Sequence, residues 1–367
     1  MGVWSGAVNG YTRKQETCLP VTCLPVSLLT QPGAFMTKLN LAIVGCGDIA
    51  RYTALVSRLL PQVRLSACCD VNVERAKTFA KRYHIPQIFT DYAEMLESTD
   101  IDAVYLAVPH HLHYGMILSA VEAGKPVFLE KPITRTLEEG IKLVEAIAGQ
   151  KVGVNYQYRY DGGCYALARA VQAGALGQVY SIRINIPWHR TQSYFDGAPW
   201  HKTIAQAGGG TLITQGSHFL DVALWALGER PVSAMGYVAS PGFEVEVETL
   251  VHGIVETEGG TLIGITSSMV AASEQAVTVE VYGERGTAQY RDVPLSSVKF
   301  VGVKARKERP PEWGLHALQC SLAGFANWVL TDKPYLTPAC EALPVLAAVD
   351  GIYRSAGSDK RESIMLV

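Results

Sequence analysis

Five short apolar runs alternate with amphipathic helical patterns between residues 39 and 155, and this alternation strongly constrains the fold. The runs are nearly continuous in hydrophobic residues: LNLAIVG, VRLSACCD, IDAVYLAV, PVFLE and KVGVN. Between them, apolar residues recur with a period of about 3.6, as Ile141, Val144 and Ala148 do. Strands that are apolar on both sides and separated by helices are typical of a parallel sheet covered on both faces. The sequence therefore predicts a doubly wound α/β domain.

The pattern changes after residue 160, where strands follow one another directly. The strand-rich segments are VSAMGYVAS, VETLVHGIVETEGGTLIGITSSMV, AVTVEVYGERGTAQYRD and SVKFVGV. The turns EGG and GERG inside them indicate hairpins. We expect a second α/β domain built on an antiparallel or mixed sheet. The predicted boundaries are an extension at 1–37, a first domain at 38–160 and a second domain at 161–367.

Composition argues against several classes of partner. Lys and Arg total 32 against 34 Asp and Glu, and no long run of one charge occurs. Neither nucleic acid nor an anionic membrane surface is therefore expected to bind. No stretch supplies the roughly 18 consecutive apolar residues of a membrane span. The eight cysteines lack C-x-x-C spacing, as expected for reduced thiols in a cytoplasmic protein. A small molecule is the expected partner.

Residues 1–37 differ from the rest of the chain. Their short apolar segment is broken by Pro20 and Pro25, and no small-residue cleavage site follows it. A secretion signal needs an unbroken apolar centre. We favour a disordered extension, or an upstream start codon with Met36 as the natural first residue.

The first predicted strand ends in the turn GCGDIA at residues 45–50. In such a strand-turn-helix, the glycines permit a tight turn and a close approach to a pyrophosphate, and the alanine lets the helix pack on the strand. Asp70 ends the second strand, where a carboxylate would accept hydrogen bonds from the adenosine ribose and repel a 2′-phosphate. This favours NAD over NADP, although Arg75 leaves some room for NADP, and Asp70 has the alternative role of a helix cap. The predicted cofactor contacts in this region are Gly45, Gly47, Asp48, Ile49, Ala50 and Asp70.

The third strand ends in VPHHLH, at the edge where the cofactor is expected. Val108, Pro109, His110 and His113 are further predicted cofactor contacts. The three histidines invite a metal hypothesis, but no acidic or thiol residue lies nearby at ligand spacing. We therefore expect no metal; a role in starting the next helix is the alternative.

Lys131 lies between Glu130 and Pro132 at the end of the fourth long strand. Ligands of doubly wound sheets bind outside the carboxyl ends of the strands, so an ammonium group there would face the nicotinamide and the substrate. Oxidation of a carbinol requires loss of the hydroxyl proton, and a nearby cation stabilises the developing alkoxide. We predict that Lys131 is catalytic and that Glu130 and Lys131 contact the cofactor. The alternative is a surface lysine.

A glycine-rich segment, GGGTLITQGSHFLDVALWALG, begins a later helix. Thr214, His218 and Asp221 are spaced i, i+4 and i+7, on one helical face. A histidine exchanges protons near neutral pH, and Asp221 is placed to orient it. We predict His218 as catalytic, with Thr214 and Asp221 in the substrate site; a core histidine is the alternative.

The segment at 184–203 is rich in aromatic and basic residues. Trp188 and Trp200 are candidates for stacking on a sugar ring, and Arg190 is a candidate for binding a carboxylate or phosphate. Ordinary loop packing is the alternative. Arg159, just past the last strand of the first domain, is a further candidate for the substrate rim.

These motifs together resemble the glucose-fructose oxidoreductase / inositol dehydrogenase / MocA (Gfo/Idh/MocA) family. The matching segments are AIVGCGDIA, Asp70, VPHHLH, the EKP at 130–132 and the GGG-x-x-x-x-Q-G-x-H-x-x-D at 208–221. The resemblance implies an NAD(P)-binding Rossmann domain at 38–160. It also implies a substrate-binding α/β domain at 161–367, whose open, mostly antiparallel sheet packs subunits into a homodimer or homotetramer.

The resemblance further implies that Lys131 and His218 form the catalytic pair and that the lysine-proline bond is often cis. Two positions depart from the family pattern. Thr214 stands where many members carry aspartate or asparagine, and a threonine cannot serve as a base at neutral pH. His110 replaces a frequent asparagine beside the cofactor.

Three functions fit this pattern. The favoured one is an NAD(P)-dependent dehydrogenase acting on a hydroxyl of a sugar, sugar acid, nucleotide-sugar or cyclitol. A glycosidase that uses NAD for transient oxidation would keep the same cofactor site. A dinucleotide-binding sensor without turnover is the third, and the presence of both Lys131 and His218 argues against it.

Overall fold

The computed structural model describes residues 38–293, 295–312 and 314–365. The predictions for residues 1–37 lie outside this range. No helix among the described residues is long and apolar enough to cross a membrane.

The first sheet is parallel throughout, with strand order β3-β2-β1-β4-β5-β6. Its strands are β1 (Leu39–Val44), β2 (Val63–Cys69), β3 (Gln87–Phe89), β4 (Ala103–Leu106), β5 (Val127–Leu129) and β6 (Val152–Val154). The connecting helices are α1 (Asp48–Ser57), α2 (Val73–Tyr83), α3 (Tyr92–Leu96), α4 (His110–Glu122) and α5 (Leu137–Ala146). The strand order reverses between β1 and β4, where doubly wound sheets bind their ligands. The predicted doubly wound sheet is confirmed.

Two short elements of this region are absent from the sequence prediction. β3 pairs with β2 at the edge of the sheet, and the five-residue α3 follows it. Because three residues cannot display a strand period, the pattern gives no indication of β3. As a result Lys131 follows the fifth strand, not the fourth.

The second sheet is mixed but mostly antiparallel, with strand order β13-β12-β11-β7-β10-β9-β8-β14. Its strands are β7 (Val179–Pro187), β8 (Pro231–Ala239), β9 (Leu250–Thr257), β10 (Leu262–Ser268), β11 (Thr278–Gly283), β12 (Thr287–Arg291), β13 (Ser297–Val301) and β14 (Glu362–Ser363). β7 and β10 pair in parallel. The predicted hairpins β9-β10 and β11-β12 are confirmed.

Six further helices follow β6 within the described residues. They are α6 (Gly162–Gln172), α7 (Gln192–Gly197), α8 (Ile204–Ala207), α9 (Ser217–Leu227), α10 (Ala317–Thr331) and α11 (Leu343–Ser358). α10 packs against the first sheet, where Phe325 stacks on Phe128 of β5 with ring centroids 5.2 Å apart. A helix from the C-terminal part of the chain therefore completes the core of the N-terminal sheet. A continuous hydrophobic core links β4, β5 and β6 to α9 and the strands of the second sheet.

Candidate active site

The turn between β1 and α1 is shaped by its glycines. Gly45 has φ +84°, and a Cβ there would lie 2.3 Å from the carbonyl oxygen of Ala107. A Cβ on Gly47 would meet nothing within 4 Å, so open space adjoins the backbone at this point. Gly47 is also the N-cap of α1 and supplies no side-chain cap. The first-turn N–H groups of α1 are therefore available to an anion such as a pyrophosphate.

Asp70 is held firmly at the end of β2. Its Oδ2 accepts a hydrogen bond from the backbone N–H of Cys46 at 2.9 Å, and its Oδ1 accepts one from Asn72 at 2.9 Å. Arg75 approaches the same carboxylate at 3.6 Å. The cap of α2 is Asn72, whose side chain accepts from the Arg75 N–H, so Asp70 does not have the alternative capping role.

Two of the three histidines at the start of α4, His110 and His113, lie at hydrogen-bond distance from backbone carbonyls. His110 Nδ1 lies 2.7 Å from Ala207 O, and the two ring nitrogens of His113 lie 2.8 Å from Pro132 O and 3.1 Å from Val108 O. Burial lowers the pKa of both imidazoles. The sequence predicts His113 as a cofactor contact, but both of its nitrogens face protein carbonyls. His113 instead fixes the backbone around Pro132.

Lys131 is half-buried at the carboxyl end of β5 and donates a hydrogen bond to the carbonyl oxygen of Thr214. Burial lowers the pKa of its ammonium, and Glu130 opposes this change. Glu130 in turn accepts hydrogen bonds through Oε1 from Tyr105 at 2.6 Å and from Asn155 at 2.8 Å. The peptide bond between Lys131 and Pro132 is cis, as the resemblance implied.

His218 lies at the start of α9, one helical turn after Thr214, whose carbonyl oxygen accepts the hydrogen bond of Lys131. The preceding segment, Leu212–Gly216, forms a π-helical turn, a distortion that often marks functional sites. The imidazole packs edge-on against Tyr158 at 5.1 Å and Tyr156 at 6.1 Å. Its Nδ1 is buried and has no hydrogen-bond partner in the described part of the chain. Burial and the charge of Lys131 hold the pKa of His218 well below its ordinary value, so the ring is neutral at neutral pH.

Asp221 does not orient His218, which corrects the prediction from helical spacing. Both of its carboxylate oxygens accept hydrogen bonds from Arg159, at 2.7 to 3.1 Å. Arg159 also donates to Leu336 O at 2.8 Å and to Glu341 at 3.0 Å. Because Arg159 is only 2% exposed and its donors are engaged, it is a structural residue and not part of a substrate rim. The buried pair ties the end of the first domain to α9.

The aromatic segment after β7 forms a connected wall. The Arg190 guanidinium lies over the rings of Trp188 at 5.1 Å and Tyr194 at 5.5 Å. Trp200 packs edge-on against His110 with centroids 4.7 Å apart. His201 stacks almost parallel on Tyr194 at 4.7 Å, which links the two ends of the wall.

Comparison with known proteins identifies the family of this chain. Residues 39–158 match the oxidoreductase family with an NAD-binding Rossmann fold, and residues 165–289 match the GFO/IDH/MocA C-terminal domain. The chain belongs to the Gfo/Idh/MocA oxidoreductase family. The matched Rossmann domain is an NAD-binding domain, and the open space at Gly47, the uncapped α1 and the fixed Asp70 fit that cofactor.

Three relatives illustrate the range of the Gfo/Idh/MocA family around this chain. Inositol 2-dehydrogenase of Burkholderia lata is 29% identical over 89% of this chain and 97% of its own length. Inositol 2-dehydrogenase of Burkholderia cenocepacia is 30% identical over 71% of this chain and 76% of its own length. The crystal structure of the WlbA dehydrogenase from Bordetella pertussis, in complex with NADH and UDP-GlcNAcA, superposes with a TM-score of 0.80. It is 25% identical and covers 90% of this chain and 100% of its own.

Two residues of this Gfo/Idh/MocA site are missing from the sequence prediction. His201 has a buried Nδ1 without a partner in the described residues, and burial together with Lys131 lowers its pKa to about 4. Glu248 accepts hydrogen bonds from the backbone N–H groups of Gly210 and Leu212, at 2.6 and 2.9 Å, and so shapes the glycine-rich segment. No sequence motif marks Glu248, since its partners lie far away in the chain. His201 could have been noticed from its place in the aromatic segment.

Several of the predicted residues are brought together by the fold. The contacts among them are the hydrogen bond from Lys131 to Thr214 and the packing of Trp200 on His110. Glu130 adjoins Lys131 in the chain, and His218 follows Thr214 by one helical turn. The exposed side chain of Asp48 pairs with Arg51 at 3.0 Å. Thr214 donates its hydroxyl hydrogen to Gly210 O at 2.6 Å, which keeps its oxygen lone pairs available as acceptors.

Proposed function

We propose that this Gfo/Idh/MocA protein is an NAD-dependent dehydrogenase. It transfers a hydride between nicotinamide and a hydroxyl-bearing carbon of a sugar, sugar acid, nucleotide-sugar or cyclitol. The observation that carries the proposal is the half-buried Lys131 ammonium at the carboxyl end of β5, bonded to Thr214 of the π-helical turn, with a neutral His218 one helical turn after Thr214 whose Nδ1 has no partner among the described residues. Such a pair combines a cation with a proton acceptor in one water-poor site.

Lys131 and His218 would share the proton chemistry. The ammonium of Lys131 stabilises negative charge that develops on the substrate oxygen. The neutral imidazole of His218 accepts a proton, and the walls of Tyr156 and Tyr158 hold the ring in place. NAD, when bound, supplies the carbon that accepts or returns the hydride. Thr214 lacks a carboxylate, so this chain relies on Lys131 and His218 alone for proton transfer.

The turn at 45–50 and Asp70 would hold the cofactor. The backbone at Gly47 and the first turn of α1 would bind the pyrophosphate, with Ala50 letting α1 pack on β1. The Asp70 carboxylate keeps lone pairs for the adenosine ribose, and its negative charge favours NAD over NADP. The remaining proposed contacts with the cofactor are Gly45, Asp48, Ile49, Val108, Pro109, His110, Glu130 and Lys131.

The relatives support the proposed class of substrate. Two are named for the oxidation of inositol, and WlbA is seen with NADH and UDP-GlcNAcA. These compounds share a six-membered ring that carries hydroxyl groups. The aromatic residues Trp188 and Trp200 would pack against such a ring.

The proposal is tested by separating cofactor binding from turnover. Thermal shifts with NAD and NADP are measured first, followed by NADH absorbance on a panel of sugars, cyclitols and nucleotide-sugars. Lys131→Ala should abolish turnover while leaving the NAD shift intact. Lys142→Ala is the matched control, because Lys142 is an exposed lysine of α5 paired with Glu138. Glycoside cleavage without net NADH, or NAD binding without any turnover on the panel, would contradict the dehydrogenase assignment.

We also infer a homodimer or homotetramer that assembles through the second sheet. One face of this sheet exposes large apolar side chains, among them Met235, Tyr237 and Ile254 on the adjacent strands β8 and β9. Exposed apolar patches of this kind usually mark interfaces. Light scattering after gel filtration should give two or four chains, and Ile254→Asp should lower that number. A monomeric wild type would refute the inference.

A cytoplasmic location is proposed from the cysteines. The described cysteines are free thiols, and most of them are buried, which fits a reducing compartment. The division into a cofactor domain at 38–160 and a substrate domain at 161–367 is likewise proposed.

A further inference from the structure

Two arginines near the candidate active site differ in how their donors are used. Arg159 is 3% exposed at its side chain and is saturated by Asp221, Glu341 and a backbone carbonyl. Arg190 is 27% exposed at its side chain, and the only hydrogen bond of its guanidinium among the described residues goes from Nη1 to His189 O at 2.7 Å. A guanidinium carries five N–H donors in a rigid fork. Most of the fork of Arg190 is therefore left for another partner.

The only carboxylate paired with Arg190 among the described residues is Glu274. The two side chains are 3.6 Å apart and Glu274 is 57% exposed, so the pair is long and faces solvent. Exposed pairs of this kind contribute little stability. A ligand carboxylate could replace Glu274 at low cost.

The position of the Arg190 fork is set by aromatic rings. Trp188 and Tyr194 lie against the guanidinium at 5.1 and 5.5 Å. Stacking of this kind fixes the plane of an arginine and orients its edge. Tyr194 stacks in turn on His201. His201 packs against Trp200 at 3.7 Å and Trp200 packs against His110 at 4.7 Å, so a series of ring contacts connects Arg190 with the start of α4.

The surroundings of Lys131 favour an anion over a neutral polyol. The charged group that affects its pKa is Glu130, and that carboxylate is already bonded to Tyr105 and Asn155. Thr214 stands on the substrate side with a hydroxyl and no negative charge. Among the described residues, neither Lys131 nor Arg190 forms a salt bridge with a buried carboxylate.

We propose that the substrate is a carbohydrate that bears a carboxylate, and that Arg190 binds this carboxylate through its guanidinium fork. The inference rests on the proposed function and narrows its substrate class. Planar two-point recognition of a carboxylate is the interaction for which an arginine fork is best suited.

The test uses pairs of compounds that differ only in the carboxylate. D-Glucuronate is compared with D-glucose, D-galacturonate with D-galactose, and UDP-glucuronate with UDP-glucose. Binding to the full chain is measured calorimetrically with saturating NADH, and turnover is followed with NAD. At least one acid should bind about 10- to 100-fold more tightly than its neutral partner, as expected for a charge-assisted two-point contact.

Variants of Arg190 identify the group responsible. Arg190→Met should erase the preference for the acid, and Arg190→Lys should restore only part of it, since a lysine keeps the charge but not the fork. Arg169→Met is the matched control, because Arg169 forms a comparable half-exposed pair with Glu308 at the far end of α6. The control should keep the preference.

The outcomes separate this inference from the proposed function. Equal binding of the acids and their neutral partners would overturn the carboxylate inference, and so would a preference for the acid that survives in Arg190→Met. If the protein still binds NADH in these experiments, the dehydrogenase proposal stands. A wild-type protein that does not bind NADH would overturn both the carboxylate inference and the dehydrogenase proposal.

Discussion

Acid should destabilise this protein through histidines that it buries in a neutral form. His201 shows the effect most clearly, since burial and Lys131 lower its pKa from 6.5 to about 4. Below about pH 6.5 the unfolded chain binds a proton at this imidazole, whereas the folded protein does so only near pH 4. The free energy of unfolding must therefore fall as the pH falls through this window.

The magnitude follows from the two pKa values. Between about pH 7.5 and about pH 5, His201 alone should remove about 2 kcal/mol from the free energy of unfolding. His110, His113 and His218 also have lowered pKa values and act in the same direction. The stability of the wild type should consequently fall more steeply than one histidine can explain.

The assay is urea unfolding at several pH values and a fixed protein concentration, for the wild type and His201→Phe. Phenylalanine keeps a ring against Tyr194 but cannot titrate, so the variant should lose about 2 kcal/mol less on acidification than the wild type. His84→Asn is the control, because His84 is exposed and has a left-handed φ of 58° that asparagine tolerates. Equal pH slopes for the wild type and His201→Phe would refute the reasoning.

Three further predictions follow from the same structure. Gly47→Ala should fold normally, because nothing lies within 4 Å of the added Cβ, yet lose its thermal shift with NAD; a normal shift would contradict the pyrophosphate site. Arg159→Met should lower the urea-derived stability by about 3 to 5 kcal/mol, because Asp221 stays buried without its partner, whereas removing both charges should recover much of the loss. The kcat/KM for alcohol oxidation should fall as the pH rises through the lowered pKa of Lys131, because the proposed role requires its ammonium form; a profile that rises through this range and then levels off would contradict that role.

Much of the fold could be predicted because it depends on local patterns. The apolar runs of β1, β2, β4, β5 and β6 show the parallel sheet directly, and the turns EGG and GERG show their hairpins. β3 was not predicted, because three residues are too few to show the alternation of a strand. The packing of α10 on β5 could not be predicted for a different reason: no feature of the helix sequence indicates which sheet its apolar face covers.

The candidate active site likewise has features that the sequence determines and features that only the tertiary structure determines. The place of Lys131 at the end of a buried strand and the glycine turn before α1 are determined by the sequence, since both depend on neighbours within a few residues. The partners of Asp221 and Arg159 are decided only by the tertiary structure, because helical spacing does not reveal which side chain an opposing element presents. Only the tertiary structure likewise shows that His201 stacks on Tyr194 and that most donors of the Arg190 guanidinium are unused among the described residues. Burial and contacts between distant elements determine what each of these groups can bind.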